Sequence, residues 1–236
     1  MTMFQSSMDL PYVVRARIFP AALGIVPFFV LYYFCLSRVI GDFIGAASGL
    51  KLVADVTIPV ACFYLFTELA RRISKEVFQN RIFNNGLNLP TTNFLLHLDE
   101  TYSDVKTKRI HDKIYSDFGI KIPSLREESD SPIQSRKIIN EAVKNILSKV
   151  KNGFLTMQHN AEYGFWRNLA GGSIISISMS LINCIVFQWI YPEGNALRVS
   201  IFLAAIYAIH LFFAKKLIIK SGHDYADILI REYLET

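Results

Sequence analysis

Residues 168–190 read NLAGGSIISISMSLINCIVFQWI, a run of 23 positions without a charged side chain. As an α-helix rising 1.5 Å per residue, this run is about 35 Å long, enough to cross the roughly 30 Å hydrocarbon core of a bilayer. A helix buried in a soluble domain needs no apolar run of this length. The stretch therefore predicts an integral membrane protein.

Three further apolar blocks have roughly the length of membrane spans: Ile18–Leu36, Leu52–Ala70 and Val199–Ala214. Pro20 lies in the first turn of the first block, where a missing N–H costs little, and Pro27 lies mid-block, where we expect a kink. Only Pro192–Arg198 connects Asn168–Ile190 to the last block, so these two spans must form an antiparallel hairpin. The Gly- and Ala-rich linker Ser37–Lys51 is long enough for a re-entrant or interfacial turn.

The composition excludes several other classes. With 52% hydrophobic and 19% charged residues, and with 18 Phe and 11 Tyr, the chain can bury too much surface to be disordered. Three cysteines cannot support a disulfide scaffold. The first block has the basic flank of a signal peptide, Arg15 and Arg17, but its apolar run is longer than a signal core, and we expect a span.

The distribution of Lys and Arg near the spans predicts the orientation. One side of the membrane would hold eleven of them, and the other side only Arg38, Lys51 and Arg198. Because loops rich in Lys and Arg stay inside, we expect both termini and the middle segment on the cytoplasmic side of the membrane. Residues 39–50 and 192–198 would then face the periplasm.

Between Arg71 and Arg167 the chain is polar, with 16 basic and 11 acidic residues. The second span is expected to continue as a helix to Phe83, before the helix-ending signal Asn84-Asn85-Gly86. Helical spacing then predicts a helix over Tyr102–Phe118. Its expected ends are a capping box formed by Thr101 with Asp104 and a stop at Gly119, with Ser124–Asp130 as a charged loop.

Two more helices are expected before the end of the chain. Ser131-Pro132 reads as the N-cap and first position of a helix. Its apolar stripe is Ile138, Ile139, Ala142, Val143, Ile146, Leu147 and Val150. A helix from about Phe154 feeds into the third span and is expected to break or bend near Gly171-Gly172. The tail after Lys220 is also helical, with an apolar face of Tyr225, Ile228, Leu229 and Tyr233.

The predicted fold is therefore all-α, an integral membrane protein with four transmembrane helices in two hairpins plus a helical cytoplasmic domain. Residues 1–83 form the N-terminal membrane hairpin with its cytoplasmic extension, and 84–167 form the cytoplasmic helical domain. Residues 168–236 form the C-terminal membrane hairpin and the tail helix. So small a cytoplasmic core is expected to lean on the membrane, on the tail or on a second copy.

Polar residues in or beside the spans are candidate functional groups, because polar side chains are costly in a membrane. Asp55 and Glu68 lie near the predicted interfaces, where an interfacial and a pore-lining role are both open. Asn183 and His210 lie deeper, where hydrogen bonding between helices is the alternative to an ion path. The third span also has a face of small residues, which suits close packing within or between protomers and predicts a homo-oligomer: Gly171, Gly172, Ser173, Ser176, Ser178 and Ser180.

Nothing in the sequence indicates an enzyme. His97, Asp99, Glu100, His111 and Asp112 lack a recognised metal-ligand spacing and are interpreted as solvated surface. The chain has no glycine-rich phosphate loop, no GxSxG and no HExxH. We expect no catalytic residue, cofactor, metal ion or small-molecule substrate, and the lipid bilayer as one partner.

Two stretches, LPTTNFLLH (89–97) and NAEYGFWRNLAGG (160–172), resemble patches of a bacterial family of uncharacterised inner-membrane proteins. Members of that family have an N-terminal membrane hairpin, a cytoplasmic helical insert and a C-terminal membrane hairpin. In the second stretch, Tyr163, Arg167 and Asn168 fall at the junction between the insert and the third span. The resemblance adds these three to the candidate functional residues.

The architecture is also similar to that of small transmembrane effectors of bacterial antiphage systems such as retrons. In those systems a cytoplasmic part restrains a membrane part that damages the envelope when released. The similarity implies a toxin-like membrane effector with a cytoplasmic regulatory partner, either a protein or a nucleoprotein. The alternative is a quiescent membrane subunit, such as a scaffold, channel component or transporter accessory.

Overall fold

The computed structural model describes residues 10–44 and 48–236, apart from the side chains of residues 43–52, and within these ranges it contains helices and no strand. In chain order the helices are α1 (Leu10–Gly24), α2 (Val26–Leu31, Tyr32–Leu36 and Ser37–Ile44 in succession), α3 (Ser48–Ile73, Ser74–Gln79 and Asn80–Ile82 in succession), α4 (Pro90–Asn93), α5 (Asp104–Phe118), α6 (Leu125–Asp130), α7 (Pro132–Val150), α8 (Phe154–Ile185 and Val186–Ile190 in succession) and α9 (Gly194–Glu235). Residues 45–47, where the linker turn is predicted, lie outside the described residues.

Among the described residues, α3, α8 and α9 are each long and apolar enough to cross a membrane. Helices α1 and α2 meet this criterion together, with a bend of 41° between them, so counting the pair as one span gives four. The all-α class with three to four candidate spans is thus confirmed. The kink expected near Pro27 is also confirmed, because α1 ends at Gly24 and Pro27 lies in the first turn of α2.

The chain divides into two compact units. The apolar unit comprises Val14–Phe78 and Phe165–Lys215, and the polar unit comprises the chain up to Val13, Gln79–Gly164 and Lys216–Thr236. The sequence-based domains grouped residues 216–236 with the second membrane hairpin, whereas this tail packs with the middle segment. Helices α8 and α9 each contribute residues to both units.

The core of the polar unit explains where the tail lies. Ala226, Leu229, Ile230 and Tyr233 of the tail are buried in one cluster with Ile110 and Ile114 of α5 and with the stripe of α7. The predicted stripe is confirmed, since Ile139, Ala142, Val143, Ile146 and Val150 are all buried. So small a unit buries enough apolar surface only by recruiting the tail, which was one of the three expected supports.

Hydrogen bonds fix the tail in the polar unit. The Tyr233 hydroxyl donates to Asp117 Oδ2 (2.9 Å), which also accepts from Lys149 Nζ (2.8 Å). The Lys149 ammonium, and after it the Tyr233 hydroxyl, hold the pKa of the Asp117 carboxyl below its usual range. Glu232 accepts from the backbone N–H groups of Leu155 (3.1 Å) and Thr156 (3.2 Å) in the first turn of α8.

Several predicted helix ends are confirmed. Helix α3 ends at Ile82, and the next residues have positive φ at Asn84 (47°), Asn85 (53°) and Gly86 (87°). Gly119 ends α5 with φ 67°. Pro132 is at the first position of α7, although Ser131 before it makes no side-chain capping bond.

Three local predictions are wrong. The N-cap of α5 is Ser103, whose Oγ accepts from Lys106 N, and not Thr101. Ser124–Asp130 is not a loop, because Ser124 and Glu127 form a reciprocal capping box that begins α6. Helix α8 continues unbroken through Gly171 and Gly172, since these glycines serve close packing and not a break.

Candidate functional site

Proline residues in α1 and α2 remove donors from the helical hydrogen-bond pattern. In an α-helix each carbonyl accepts from the N–H four residues later, and proline has no N–H. The prediction that Pro20 lies in a first turn is wrong, because α1 begins at Leu10, and Pro20 therefore deprives the Ala16 carbonyl of its usual donor. Pro27 does the same to the Leu23 carbonyl. The Gly24 carbonyl also lacks its usual donor, because Phe28 N donates to Ile25 O (2.9 Å) at the break.

Side chains of α8 and α9 donate to these three carbonyls and also to Pro27 O, which lies inside α2 and has not lost its helical donor. We call these four contacts the polar seam: Asn168 Nδ2 to Ala16 O (2.6 Å), Tyr207 OH to Leu23 O (2.5 Å), Ser176 Oγ to Gly24 O (2.6 Å) and Asn183 Nδ2 to Pro27 O (2.7 Å). All of them lie within the apolar unit. Inside a bilayer no water can replace them, so the seam is what makes the broken α1–α2 segment compatible with a membrane.

Asn168 connects the seam to a third helix. Besides donating to Ala16 O, it accepts from Ser74 Oγ of α3 at 3.0 Å, and both side chains are buried. The Asn168 amide is thus satisfied at both ends and joins three helices. The resemblance had indicated this residue, but only the structure provides its partners.

The backbones of α3 and α8 come into contact one turn further along. A Cβ atom on Gly171 would lie 2.2 Å from Ala70 O and 2.6 Å from Ser74 N, both backbone atoms. A Cβ on Gly172 would meet the Phe66 ring at 3.4 Å. Five of the six residues of the predicted small-residue face are buried within one chain, and Ser178 is exposed. This face gives no separate argument for self-association, which stays a prediction.

His210 of α9 lies in a separate polar contact. Its Nδ1 is 2.9 Å from Ser173 Oγ, and its ring stacks on Trp166 with centroids 6.2 Å apart. His210 Nε2 and Asn183 Oδ1 are buried and have no hydrogen-bond partner among the described residues. Both predicted deep polar residues therefore make contacts between helices, and each keeps one polar atom unused.

Asp55 and Glu68, the two predicted acids, make contacts outside the seam. The Tyr32 hydroxyl of α2 donates to Asp55 Oδ1 at 2.6 Å. Glu68 forms a 2.7 Å ion pair with Arg71 of the same helix, and both side chains are part-exposed. Glu68 therefore fits the interfacial alternative, whereas Asp55 links two helices.

The other two residues from the resemblance lie at different places. Tyr163 is buried in the polar unit, where its ring stacks on Tyr225 with centroids 6.4 Å apart. Arg167 is half-buried in the apolar unit. Only Asn168 of the three belongs to the seam.

Of the two histidines predicted to lie on solvated surface, His111 departs from that prediction and His97 does not. His97 is exposed, as expected, but His111 is half-buried, its ring nitrogen lies 2.8 Å from Leu95 O, and burial lowers its pKa. The centroids of the His97 and His111 rings are 4.8 Å apart. Within the described part of the chain, no three His, Cys, Asp or Glu side chains are grouped to hold a metal ion.

Sequence reasoning missed Tyr207 and did not identify Ser176 as a donor. The proline positions were a usable signal, because counting four residues back from Pro20 and Pro27 locates two carbonyls that need donors. Comparison of the chain with protein-family models, with curated proteins and with solved structures finds no match. The fold and the seam therefore define the class of this protein as an all-α chain with three to four candidate membrane spans.

Proposed function

We propose that the protein is an inner-membrane effector that permeabilises the membrane when the polar seam separates. The observation that carries this proposal is that carbonyls of the broken α1–α2 segment are held by side chains of α8 and α9. Separation would leave the carbonyls of Ala16, Leu23 and Gly24 without these donors, and it would expose the donor groups of Asn168, Asn183 and Tyr207. Such groups are costly in hydrocarbon and favourable in water, so an opened seam would admit water and ions.

Helices α8 and α9 provide a route for regulation. Each contributes residues to both units, and each also supplies donors to the seam. A cytoplasmic partner that binds the polar unit would favour one position of these helices, and its release would shift a two-state equilibrium. The basic excess of residues 71–167 suits an acidic protein or a nucleoprotein as that partner.

The antiphage role is part of this proposal and rests on the similarity of architecture. A reverse-transcriptase or nucleotide-signalling gene beside the coding gene would support it. Neighbouring transporter genes would contradict it and favour the quiescent subunit, for which the complete pairing of the four seam carbonyls is the supporting observation.

Induction of the protein without its partner is expected to depolarise the inner membrane and stop growth within a few generations. Asp55→Leu should weaken this effect at equal membrane abundance, because Asp55 is the acidic side chain that links α2 to α3. A voltage-sensitive dye and viable counts measure the two responses. Asp42→Leu is the matched control, since Asp42 is exposed on α2 and the same charge is removed.

Two outcomes separate the candidate functions. Depolarisation by the wild type and by Asp42→Leu, but less by Asp55→Leu, supports the effector. Normal potential and growth at verified membrane abundance would contradict it and leave the quiescent subunit as the better account.

The proposal places both termini and the polar unit in the cytoplasm. A membrane-impermeant maleimide applied to intact spheroplasts should therefore label Asn195→Cys, in the first turn of α9, in a chain lacking its three native cysteines. Ser129→Cys in the polar unit is the matched control, since Ser129 and Asn195 are both exposed in the fold. It should react only after lysis, because the proposal places the polar unit in the cytoplasm. Labelling of Ser129→Cys before lysis, with Asn195→Cys protected, would reverse the orientation.

A further inference from the structure

The break between α1 and α2 borders a cavity in the apolar unit. Its volume is about 190 Å³, and its lining includes Gly24, Ile25, Cys62, Phe66 and Met179. Ile25 and Phe66 are buried, whereas two further lining residues, Leu65 and Leu69, are 57% and 51% exposed. The cavity is therefore closed on the side of the protein core and accessible beside these two leucines.

The shape and chemistry of the cavity follow from the break. A Cβ on Gly24 would lie 2.6 Å from Phe66 Cζ, so the helix end approaches the Phe66 ring closely and carries no side chain to fill the space. The nine lining residues include neither a charged residue nor an amide or hydroxyl side chain. An apolar cavity of about 150 Å³ is known to stay dry and to bind a molecule as large as benzene. Water is thus a poor occupant and a hydrocarbon is a good one.

We propose that this cavity holds the end of one acyl chain of a membrane phospholipid. Leu65 and Leu69 lie on α3, a candidate span, and exposed apolar residues of a span face lipid tails. The tails are therefore the hydrocarbon nearest to the opening. Filling the space restores the dispersion contacts that the lining atoms lack in an empty cavity. This inference depends on the membrane location and not on the effector function.

The test measures phospholipid that stays bound through purification. The full chain is reconstituted in phosphatidylethanolamine–phosphatidylglycerol nanodiscs, extracted into a maltoside detergent and analysed by native mass spectrometry. We expect one phospholipid per chain on the wild type, and at least a fivefold lower occupancy on Met179→Phe, whose rigid ring would obstruct part of the cavity. Leu181→Phe is the matched control on the same helix, since Leu181 is 54% exposed and does not line the cavity.

The reactivity of Cys62, which lines the cavity, provides a second measurement that does not depend on Met179→Phe. In a chain with Cys35 and Cys184 replaced by alanine, a bound acyl chain should slow the reaction of Cys62 with N-ethylmaleimide, and delipidation should speed it at least fivefold. Wild-type protein without a retained phospholipid, equal retention in Met179→Phe and Leu181→Phe, or a Cys62 rate unchanged by delipidation would each overturn the proposal.

Discussion

Gly171→Ala is expected to lower the melting temperature of the detergent-solubilised protein substantially, and more than Gly172→Ala. The new Cβ would lie 2.2 Å from Ala70 O and 2.6 Å from Ser74 N, and backbone atoms cannot move away as a side chain can. Overpacking of this kind costs about 3 kcal/mol. In a chain of this size that corresponds to a decrease of about 6–12 °C, which size-exclusion chromatography after heating can measure.

Gly172→Ala is the matched control for this prediction. It adds the same methyl group to the neighbouring position, where the Cβ would meet the Phe66 ring at 3.4 Å and Ala70 Cβ at 3.7 Å. A ring edge can shift by a few tenths of an ångström, so we expect little change in melting temperature. Equal losses for Gly171→Ala and Gly172→Ala would contradict the close approach of the α3 and α8 backbones.

Asn168→Leu is expected to have the second largest effect. Leucine has the same branched arrangement of four side-chain heavy atoms as asparagine but can neither donate to Ala16 O nor accept from Ser74 Oγ. A buried polar group left without its partner costs about 1–3 kcal/mol, and this substitution removes the Asn168 donor of Ala16 O, whereas Ser74 Oγ keeps Arg71 O as its acceptor at 2.8 Å. We expect a loss of about 1–3 kcal/mol in stability, measured by the same thermal assay.

A double-mutant cycle tests whether proline is the reason for this cost. Pro20→Ala restores an N–H four residues after Ala16, so Asn168→Leu should be less harmful in that background by about 1 kcal/mol. Pro59→Ala is the control, because Pro59 lies inside α3 and its missing N–H concerns a different carbonyl. Additive effects of Pro20→Ala and Asn168→Leu would exclude the compensation between proline and asparagine.

Much of the polar unit follows from signals within a few residues. The end of α3 at Asn84-Asn85-Gly86 follows from residues that tolerate positive φ, and the stripe of α7 follows from helical spacing. The errors there also have local causes. Both Thr101 and Ser103 are plausible caps, and the charged composition of Ser124–Asp130 concealed a capping box. Where two signals compete within one turn, packing decides between them.

The expected break at Gly171-Gly172 failed for a different reason. Glycine weakens a helix locally, and it also allows another backbone to approach. In α8 the second property applies, because Ala70 and Ser74 of α3 occupy the space that a Cβ would need. The sequence contains no indication of which helix would lie there.

The sequence alone determined the all-α class, the candidate spans and the kink near Pro27, because apolar length and missing N–H groups are properties of short segments. Only the tertiary structure decided that Asn168 and Tyr207 donate to the carbonyls of Ala16 and Leu23, across 152 and 184 positions of the chain. Such pairs depend on how whole helices pack, and a side chain's own neighbours in the sequence do not encode which distant carbonyl it will reach.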